Sequence, residues 1–380
     1  MAKRVAIAGV AQTKHGGAIS YTIREMVYEV TFQVLQQAGL RREDLGTIIS
    51  ASSDFWQGTG CSDSLHYDAA GAYLKSSPKV DEDSAMAFMY AFMRMLSGHY
   101  ETALVVGVTK GSEIPSPQTL THLYTDPFFQ RPVGLEDTAC AAMQAQLLLG
   151  KSLTTEEHIA KVAAKNLNNP LRNPLAHRRR KISAEEVLAS PVLAYPLREL
   201  ECATSSDGAC AVLLASEDRA RKLCPRPVWV KGVAWGSDGT YLGDRDLLRG
   251  PLKKVAKKAY EMAGISHPRG EISVAEICEP FASQELLWYE ELGFCDEGEA
   301  GKFFDQGIPQ MGGDLPVNPS GGVLSTNPYV ARGLIRIGEA ALQLMGQAGE
   351  HQVPKAKAAL AHSVHGLAGQ FHSVVILSAT

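Results

Sequence analysis

The strongest constraint on the fold of this 380-residue chain is that it repeats itself. Short β-branched runs alternate with helical patterns early in the chain, starting with Val5 to Val10 and an amphipathic stretch from Ile23 to Ala38. A second copy of this rhythm begins at Val228. The first helix of each copy ends in a matching phrase, Ala38-Gly-Leu in one and Ala263-Gly-Ile in the other. The pattern predicts a duplicated α/β fold, because alternating strands and helices form sheets covered by helices.

The two copies are expected to pack face to face around shared helices, because each is too small to cover both faces of its own sheet. Between them, residues 116–199 are richer in Pro, Asn and Arg, and we interpret them as an inserted, partly irregular subdomain. The N-terminal half then takes residues 1–115 and 200–225, and the C-terminal half takes residues 226–380.

Composition excludes several classes of function. A formal net charge of −4 gives no basic footprint for wrapping nucleic acid, and no apolar run reaches the ~18 residues that a membrane span needs. The seven cysteines are scattered, with no CxxC pair and no His/Cys cluster at metal spacing, which predicts reduced thiols and no metal site. The N-terminal apolar run stops at Gln12 and is typical of a first strand, so we expect a cytoplasmic protein.

One helix is predicted to lie in the middle of the molecule. The stretch from Ser84 to Leu96 is apolar around almost its whole circumference, as a fully buried helix must be. Three acids, Asp81-Glu-Asp83, precede it, where the free backbone N–H groups of a helix start favour negative charge. This helix start is therefore either capped for stability or directed at a functional site.

Four segments together resemble the thiolase superfamily, in particular the branch of sterol carrier protein X thiolases and steroid side-chain retro-aldolases. They occur in the family's order and spacing, and they are Leu200–Leu214, Glu276–Phe294, Val317–Gly322 with the helix that follows it, and Gly366–Leu377. The resemblance implies the thiolase fold, in which two similar βαβαβαββ halves form five αβαβα layers and carry an inserted loop subdomain.

The resemblance also implies a site, and this chain departs from it. A thiolase has a nucleophilic Cys at the start of the buried helix, where the helix dipole favours a thiolate. Alignment places Asp81 or Ser84 there, and neither is a thiol; Asp81 is either a base or a helix cap. The histidine of the family's GHP turn is replaced by Asn327, which still can donate to an oxyanion together with glycine-rich backbone. Tyr329, in the same turn, is a candidate acid or base.

Two further positions complete the expected site. Cys278 stands where the family has an Asn or His that faces the reacting carbon, and it is either a relocated nucleophile or a small buried residue. His365 aligns with the second thiolase Cys and suits general acid and base work. No permanently bound cofactor is expected. Coenzyme A is the implied substrate, and the residues expected to bind it are Arg178, Arg179, Ser206, Gly321, Gly322 and Gly369. The basic run around the two arginines is alternatively a solvated loop.

Three functions follow from these residues. The first is an atypical thiolase that transfers an acyl group between a 3-oxoacyl-CoA and CoA. The second is a retro-aldolase acting on a 3-hydroxyacyl-CoA, with Tyr329, Asp81 or His365 as base. The third is an acyl or lipid carrier without catalysis. Aromatic residues that could line a bulky acyl pocket are Phe55, Trp56, Tyr124, Phe128 and Phe129. The family resemblance further implies a homodimer and a small zinc-binding partner subunit with an OB-like domain.

Overall fold

A computed structural model describes residues 4–151 and 153–380. The strands are β1 Val5–Gln12, β2 Thr47–Ser52, β3 Lys79–Asp81, β4 Thr102–Lys110, β5 Val192–Ala194, β6 Leu197–Arg198, β7 Asp207–Ser216, β8 Val228–Ser237, β9 Val274–Glu276, β10 Ala358–His365 and β11 Phe371–Ser378. The helices are α1 Ile23–Ala38, α2 Asp54–Gln57, α3 Ser84–Leu96, α4 Pro117–Leu123, α5 Asp137–Lys151, α6 Glu156–Asn168, α7 Ala184–Leu188, α8 Glu217–Leu223, α9 Leu252–Ala263, α10 Pro268–Glu271, α11 Ala282–Glu291, α12 Ala300–Asp305, α13 Gly322–Ser325 and α14 Arg332–Met345.

The predicted duplication is visible in the strand order. Within the described residues, nine strands form one sheet in the order β3-β2-β4-β7-β1-β8-β11-β10-β9. The first five belong to the N-terminal half and the last four to the C-terminal half, and each half follows the same path outward from its first strand. The halves meet where β1 pairs with β8 through only two residue pairs, Ala6 with Trp229 and Ile7 with Val228. The N-terminal and C-terminal parts of the sheet are thus joined along one short stretch of β1 and β8.

The halves differ at the outer edge of the C-terminal half, where a counterpart of β3 is reduced to a single bridge. Val317 makes one parallel bridge to Ala275, and Pro316 and Pro319 flank it. Proline has no N–H to donate to a strand ladder, so this segment cannot extend into a regular strand. The second half therefore has four full strands where the duplication predicted five.

The matching phrases at the ends of α1 and α9 are helix C-caps. Gly39 and Gly264 follow the last helical residues with φ of 63° and 73°, a left-handed conformation that glycine adopts without a steric penalty. At its other end α1 begins with a capping box, in which Thr22 and Glu25 each accept the other's backbone N–H. Local sequence therefore fixes both bounds of α1, which are those predicted from its periodicity.

The two central helices start side by side. Helices α3 and α14 pack against each other, and α14 also contacts strands of both halves. The backbone N–H of Leu334 donates to the Ser84 hydroxyl at 2.8 Å, so the first residue of α3 caps the start of α14. A Cβ added to Gly333 would lie 2.5 Å from the Ser363 hydroxyl oxygen, which shows how closely the helix start approaches β10. The first residues of α3 and α14 therefore lie next to each other and close to β10.

The segment between β4 and β7 contains α4 to α7 and the β5–β6 hairpin. The assignment of residues 116–199 to a separate subdomain stays a prediction. In the part of the chain that the structure describes, no helix is both long enough and apolar enough to cross a membrane.

Candidate functional site

A carboxylate and an imidazole face each other where α3 begins. Asp83 is the N-cap of α3, and its side chain accepts the Ala85 N–H at 2.8 Å. It also accepts hydrogen bonds from Ser363 at 3.0 Å and Ser373 at 3.2 Å, which belong to paired positions of β10 and β11. The Nδ1 atom of His365 lies 3.6 Å from Asp83 Oδ2. The carboxylate is therefore held from three sides with its remaining face toward the imidazole.

Burial would raise the pKa of Asp83, but His365, the Ala85 amide and Ser363 more than offset it, so the pKa lies below its ordinary value. The carboxylate is ionised at neutral pH. His365 ends β10, and its ring stacks on Phe371 with centroids 4.5 Å apart. His365 Nδ1 is buried without a hydrogen-bond partner among the described residues, so Asp83 acts on the imidazole through its charge across 3.6 Å. A carboxylate that faces an imidazole favours its protonated form, which suits a general base.

Glu82, the residue before Asp83, is also part of the site. Its φ of 59° is unusual for a residue with a side chain, and this conformation turns the chain between β3 and α3. Its Oε1 atom is buried without a hydrogen-bond partner among the described residues. Burial raises the pKa of Glu82, while His365 and Arg332 act in the opposite direction. The helix start that carries a thiolate in thiolases here carries two neighbouring carboxyl groups.

A cavity of about 260 Å³ opens beside the start of α14, whose first residue, Arg332, belongs to its lining. Its lining includes Trp56, Asp137, Asn327, Tyr329 and Arg332, together with Cys202 to Ser205, Pro280 and Phe281. The Tyr329 ring lies between Trp56, at 4.0 Å between centroids, and the guanidinium of Arg332, whose Cζ is 4.3 Å from the ring centroid. Burial raises the pKa of Tyr329, so its phenol stays protonated and can donate a hydrogen bond.

Asp137 contributes a carboxyl group from the opposite wall. It is the first residue of α5 and lines the same cavity. Burial raises the pKa of Asp137 to about 6, and the neighbouring Arg332 limits the increase. Perturbed carboxyl groups of this kind are common in functional clefts.

Cys278 is not part of the cavity lining and has no exposed surface. Its Sγ is 3.9 Å from the Val364 carbonyl oxygen, and burial raises the pKa of the thiol to about 11 despite the nearby Arg332. Its backbone N–H donates to His362 Nδ1 at 3.4 Å, and His362 Nε2 lies 2.9 Å from His372 Nδ1. This geometry favours the interpretation of Cys278 as a buried packing residue, and its role as nucleophile stays a prediction.

Of the other expected catalytic residues, two line the cavity and one lies on the surface. Asn327 and Tyr329 line the cavity, and the Asn327 side-chain oxygen is buried without a partner among the described residues. Asp81 is exposed at the end of β3, where Lys79 Nζ lies 3.8 Å from its carboxylate. The structure therefore places Asn327 and Tyr329 in the cavity lining and His365 beside Asp83, and it leaves Asp81 on the surface.

The three polar residues expected to bind CoA already have partners within the protein. Arg178 donates to the carbonyls of Cys202 and Leu324, and Arg179 donates to those of Pro170 and Leu171. Ser206 is buried and accepts the Asn327 N–H at 3.1 Å.

The three expected glycines are explained by backbone geometry. Gly321, Gly322 and Gly369 all have positive φ. A Cβ on Gly322 would lie 2.0 Å from Glu279 Oε1, and one on Gly321 would lie 2.5 Å from the Ser325 hydroxyl oxygen. Their contribution to CoA binding, like that of the three polar residues, stays a prediction.

Of the aromatic residues proposed for an acyl pocket, only Trp56 lines this cavity. Phe55 packs on Tyr124 with centroids 4.5 Å apart. Phe128 and Phe129 are 79% and 73% exposed, so they face solvent in the chain described. Within the described residues, no group of three or more His, Cys, Asp or Glu side chains could hold a metal ion.

Sequence reasoning missed four residues of the site: Glu82, Asp83, Asp137 and Arg332. The first two were visible as part of an acidic run before the buried helix, but spacing alone selected Asp81 in that run. Arg332 follows the turn that contains Tyr329 by three residues, and it could have been found as a charge at the start of an otherwise apolar helix. Asp137 lies in the insertion, where no motif drew attention to it.

Comparisons with known proteins agree with this architecture. A family model described as "Thiolase C-terminal domain-like" matches residues 236–379. An acetyl-CoA acetyltransferase of Methanothermobacter thermautotrophicus is 32% identical over 373 residues, which are 96% of this chain and 97% of that protein. Sterol carrier protein 2 of Oryctolagus cuniculus is 36% identical over 224 residues, 57% of this chain but 40% of that longer protein.

A solved structure described as "Ltp2-ChsH2(DUF35) aldolase" superposes with a TM-score of 0.84 and 23% identity, covering 99% of this chain and 97% of that one. At this identity the similarity concerns the fold alone. The chain belongs to the thiolase superfamily. The predicted fold and family are confirmed, and the chain is a thiolase-like protein related to enzymes that act on CoA thioesters.

Proposed function

We propose that this protein cleaves the bond between C2 and C3 of a 3-hydroxyacyl-CoA, and forms it in the reverse direction, without an acyl-enzyme intermediate. The observation that carries the proposal is the His365–Asp83 pair at the start of α3. A thiolase-type acyl transfer needs a thiolate at this place, whereas a retro-aldol cleavage needs only a base and a means of holding an enolate.

The residues fit a proton-transfer sequence. His365, oriented by Asp83, takes the proton of the 3-hydroxyl group. The C2–C3 bond then breaks, the C3 fragment leaves as an aldehyde or ketone, and the electron pair moves onto the thioester as an enolate. Asn327 and the protonated phenol of Tyr329 donate hydrogen bonds to the enolate oxygen. Protonated His365 returns the proton to C2, which gives a shorter acyl-CoA and regenerates the base.

The protonation state of Cys278 supports retro-aldol cleavage over acyl transfer, because a protonated thiol is a poor nucleophile. Burial raises the pKa of this thiol to about 11, so the thiol is protonated at neutral pH. Catalytic cysteines instead have a lowered pKa in a partly exposed, electropositive environment. Thiolase-type acyl transfer remains the second candidate, because a relative that matches along 97% of its length is named an acetyl-CoA acetyltransferase.

The substrate pair that separates these reactions has an aromatic acyl group, which suits the Trp56–Tyr329 wall. From 3-hydroxy-3-phenylpropanoyl-CoA, a retro-aldolase releases benzaldehyde and acetyl-CoA in equal amounts with no added CoA. From 3-oxo-3-phenylpropanoyl-CoA, a thiolase releases benzoyl-CoA and acetyl-CoA only when free CoA is added. We expect the first reaction, measured by chromatography of both products.

Variants test the assignment of the residues. His365→Gln should lower the rate at least about 10²-fold, because glutamine cannot transfer a proton. The matched control is His99→Gln, which changes an exposed histidine. Cys278→Ala should keep most of the activity. CoA-dependent cleavage of the 3-oxo substrate, with an acyl adduct on Cys278 in intact-mass spectra, would establish acyl transfer instead. Binding of both thioesters without turnover would favour a carrier.

A homodimer and a zinc-binding OB-domain partner are also proposals. The name of the aldolase with the similar fold includes a DUF35 component, which motivates testing activity with such a subunit added. Light scattering of the purified chain would measure its oligomeric state.

A further inference from the structure

We infer that this site favours an acyl group that carries a free carboxylate, and that Arg332 pairs with this carboxylate inside the cavity. This inference deepens the proposed function, because it concerns the acyl part of the same thioester substrate.

Arg332 is a buried charge that offers donors to the cavity. It is 4% exposed, and its Nη2 donates to the Val364 carbonyl oxygen at 2.7 Å. Within the described residues, no carboxylate oxygen lies within 4.0 Å of its nitrogens, whereas the buried Arg336 has Glu276 at 2.6 Å. Asp83 and Asp137 act on Arg332 only from beyond 4.0 Å. A guanidinium has five N–H donors, and burying one without a directly bound anion is costly. The remaining donors therefore point to an anionic ligand.

The position of the guanidinium is fixed before any ligand arrives. Val364 holds one end, and the Tyr329 ring supports the face at 4.3 Å. A planar fork held in one orientation binds a carboxylate through two parallel hydrogen bonds. The guanidinium is therefore prepared for a planar anion rather than for a single oxygen atom.

Asp137 provides the second side of this binding place. It lines the same cavity, yet neither of its oxygens reaches within 4.0 Å of the Arg332 nitrogens, which leaves a gap between the two groups in the described structure. Burial raises the pKa of Asp137 to about 6, so its protonated form is accessible near neutral pH. A protonated Asp137 can donate a hydrogen bond to a carboxylate seated on Arg332, so two negative charges need not meet.

A rival role for Arg332 is to stabilise the enolate alone. In that case its loss would lower the turnover of every substrate equally and would not change the affinity for unreactive thioesters. Carboxylate recognition instead makes affinity depend on the charge at the far end of the acyl chain. Binding of thioesters that lack a 3-hydroxyl group separates the two roles, because these ligands cannot react by the proposed cleavage.

The experiment compares matched pairs of ligands by calorimetry. The pairs are succinyl-, glutaryl- and adipyl-CoA, each with the thioester in which the terminal carboxylate is a primary amide. We expect the wild-type protein to bind at least one acid about 10-fold or more tightly than its amide. Arg332→Gln should reduce this preference to less than about 2-fold while the amide binds as before. Arg249→Gln, which changes an exposed arginine paired with Glu297, is the matched control and should keep the preference.

Two results would overturn the inference: equal affinity for acid and amide at all three lengths in the wild-type protein, or a preference that persists in Arg332→Gln. Should the glutamine variant fail to fold, Arg332→Lys retains the charge but not the fork, and it should weaken the preference at the length that fits best. Preference for the acid without any cleavage of 3-hydroxyacyl-CoA would support this inference while rejecting the proposed reaction.

Discussion

Asp83 performs two tasks with one carboxylate, since it caps α3 through the Ala85 N–H and faces His365. The two tasks can be separated by substitution. Asparagine caps a helix about as well as aspartate does, but its neutral amide cannot stabilise a protonated imidazole. A substitution at Asp83 therefore separates its role as a helix cap from its role in positioning His365.

For Asp83→Asn we predict a fall in the rate of 3-hydroxyacyl-CoA cleavage of at least about 10²-fold, with less than about 1 kcal/mol lost from the free energy of unfolding. Kinetics and urea denaturation measure the two quantities. The matched control is Asp81→Asn, whose carboxylate is exposed and should affect neither. Unchanged activity in Asp83→Asn would remove Asp83 from the site.

The lowered pKa of Asp83 also gives the sign of its effect on stability. A carboxylate whose pKa is lower in the folded state stabilises the protein at pH values above its unfolded pKa, about 4. This contribution is lost as the pH falls through the lower, folded pKa. In Asp83→Asn, the loss of stability on acidification below pH 4 should therefore be smaller than in the wild-type protein.

Single residues of the site were predictable only where a motif fixed their register. Asn327, Tyr329 and His365 lie in segments whose order along the chain matches the family, and Asn327 and Tyr329 line one cavity, while the catalytic roles of all three stay predictions. The acidic run before α3 was recognised, but a turn with Glu82 at φ 59° decides which carboxylate is buried, and no spacing rule contains that turn. Asp137 depends on how an insertion without a regular pattern folds back onto the sheet.

At the scale of elements, the glycines of the turn before α14 show that a glycine in an apparent ligand-binding motif can instead be required by close packing. Gly322 begins α13 with φ of 64°, and its Cα lies so close to the carboxyl group of Glu279 that a Cβ would overlap it. We interpret Gly322 as a residue required by this contact, although sequence analysis assigned it to CoA.

Gly322→Ala should lower the free energy of unfolding by roughly 2–4 kcal/mol, from strain at positive φ together with the overlap at Glu279. The control is Gly349→Ala, because Gly349 has φ of 60° but nothing within 4 Å of the added Cβ. That control should cost only about 1 kcal/mol. A weaker affinity for CoA in Gly322→Ala, with little change in stability, would restore the ligand-binding interpretation.

The helices were the most predictable elements. Strong periodicity and clear caps gave Ile23–Ala38 and Ser84–Leu96 with the bounds that the structure has. In the C-terminal half, the counterpart of β3 is only a single bridge at Val317, which two prolines flank, although the surrounding residues follow the repeat. Long-range pairing, such as the two-residue seam between β1 and β8, has no local signal at all.

At the scale of the whole molecule, a buried polar network ties the insertion to the C-terminal half. Lys165 on α6 pairs with Glu285 on α11, and neighbouring Asn166 donates to Glu285 at 2.6 Å and to Glu279 at 3.0 Å. Burial and the nearby Glu285 raise the pKa of Glu279 to about 8. The protonation of Glu279 is therefore coupled to folding near neutral pH.

The raised pKa of Glu279 contributes stability that is complete below its unfolded pKa, about 4.3, and is lost as the pH rises through about 8. The free energy of unfolding of the wild-type protein should therefore fall more steeply between pH 6 and 9 than that of Glu279→Gln. Urea denaturation at several pH values measures both slopes. Parallel curves would show that Glu279 is ionised in the folded protein.

The place of β1 in the middle of the sheet has a consequence during synthesis on the ribosome. Both neighbours of β1 are made much later, since β7 begins at Asp207 and β8 at Val228. At about 5–20 residues per second, translation leaves both edges of this apolar strand without partners for roughly 10–40 s. During this interval the unpaired edges of the first strand are available for pairing with the strands of other chains.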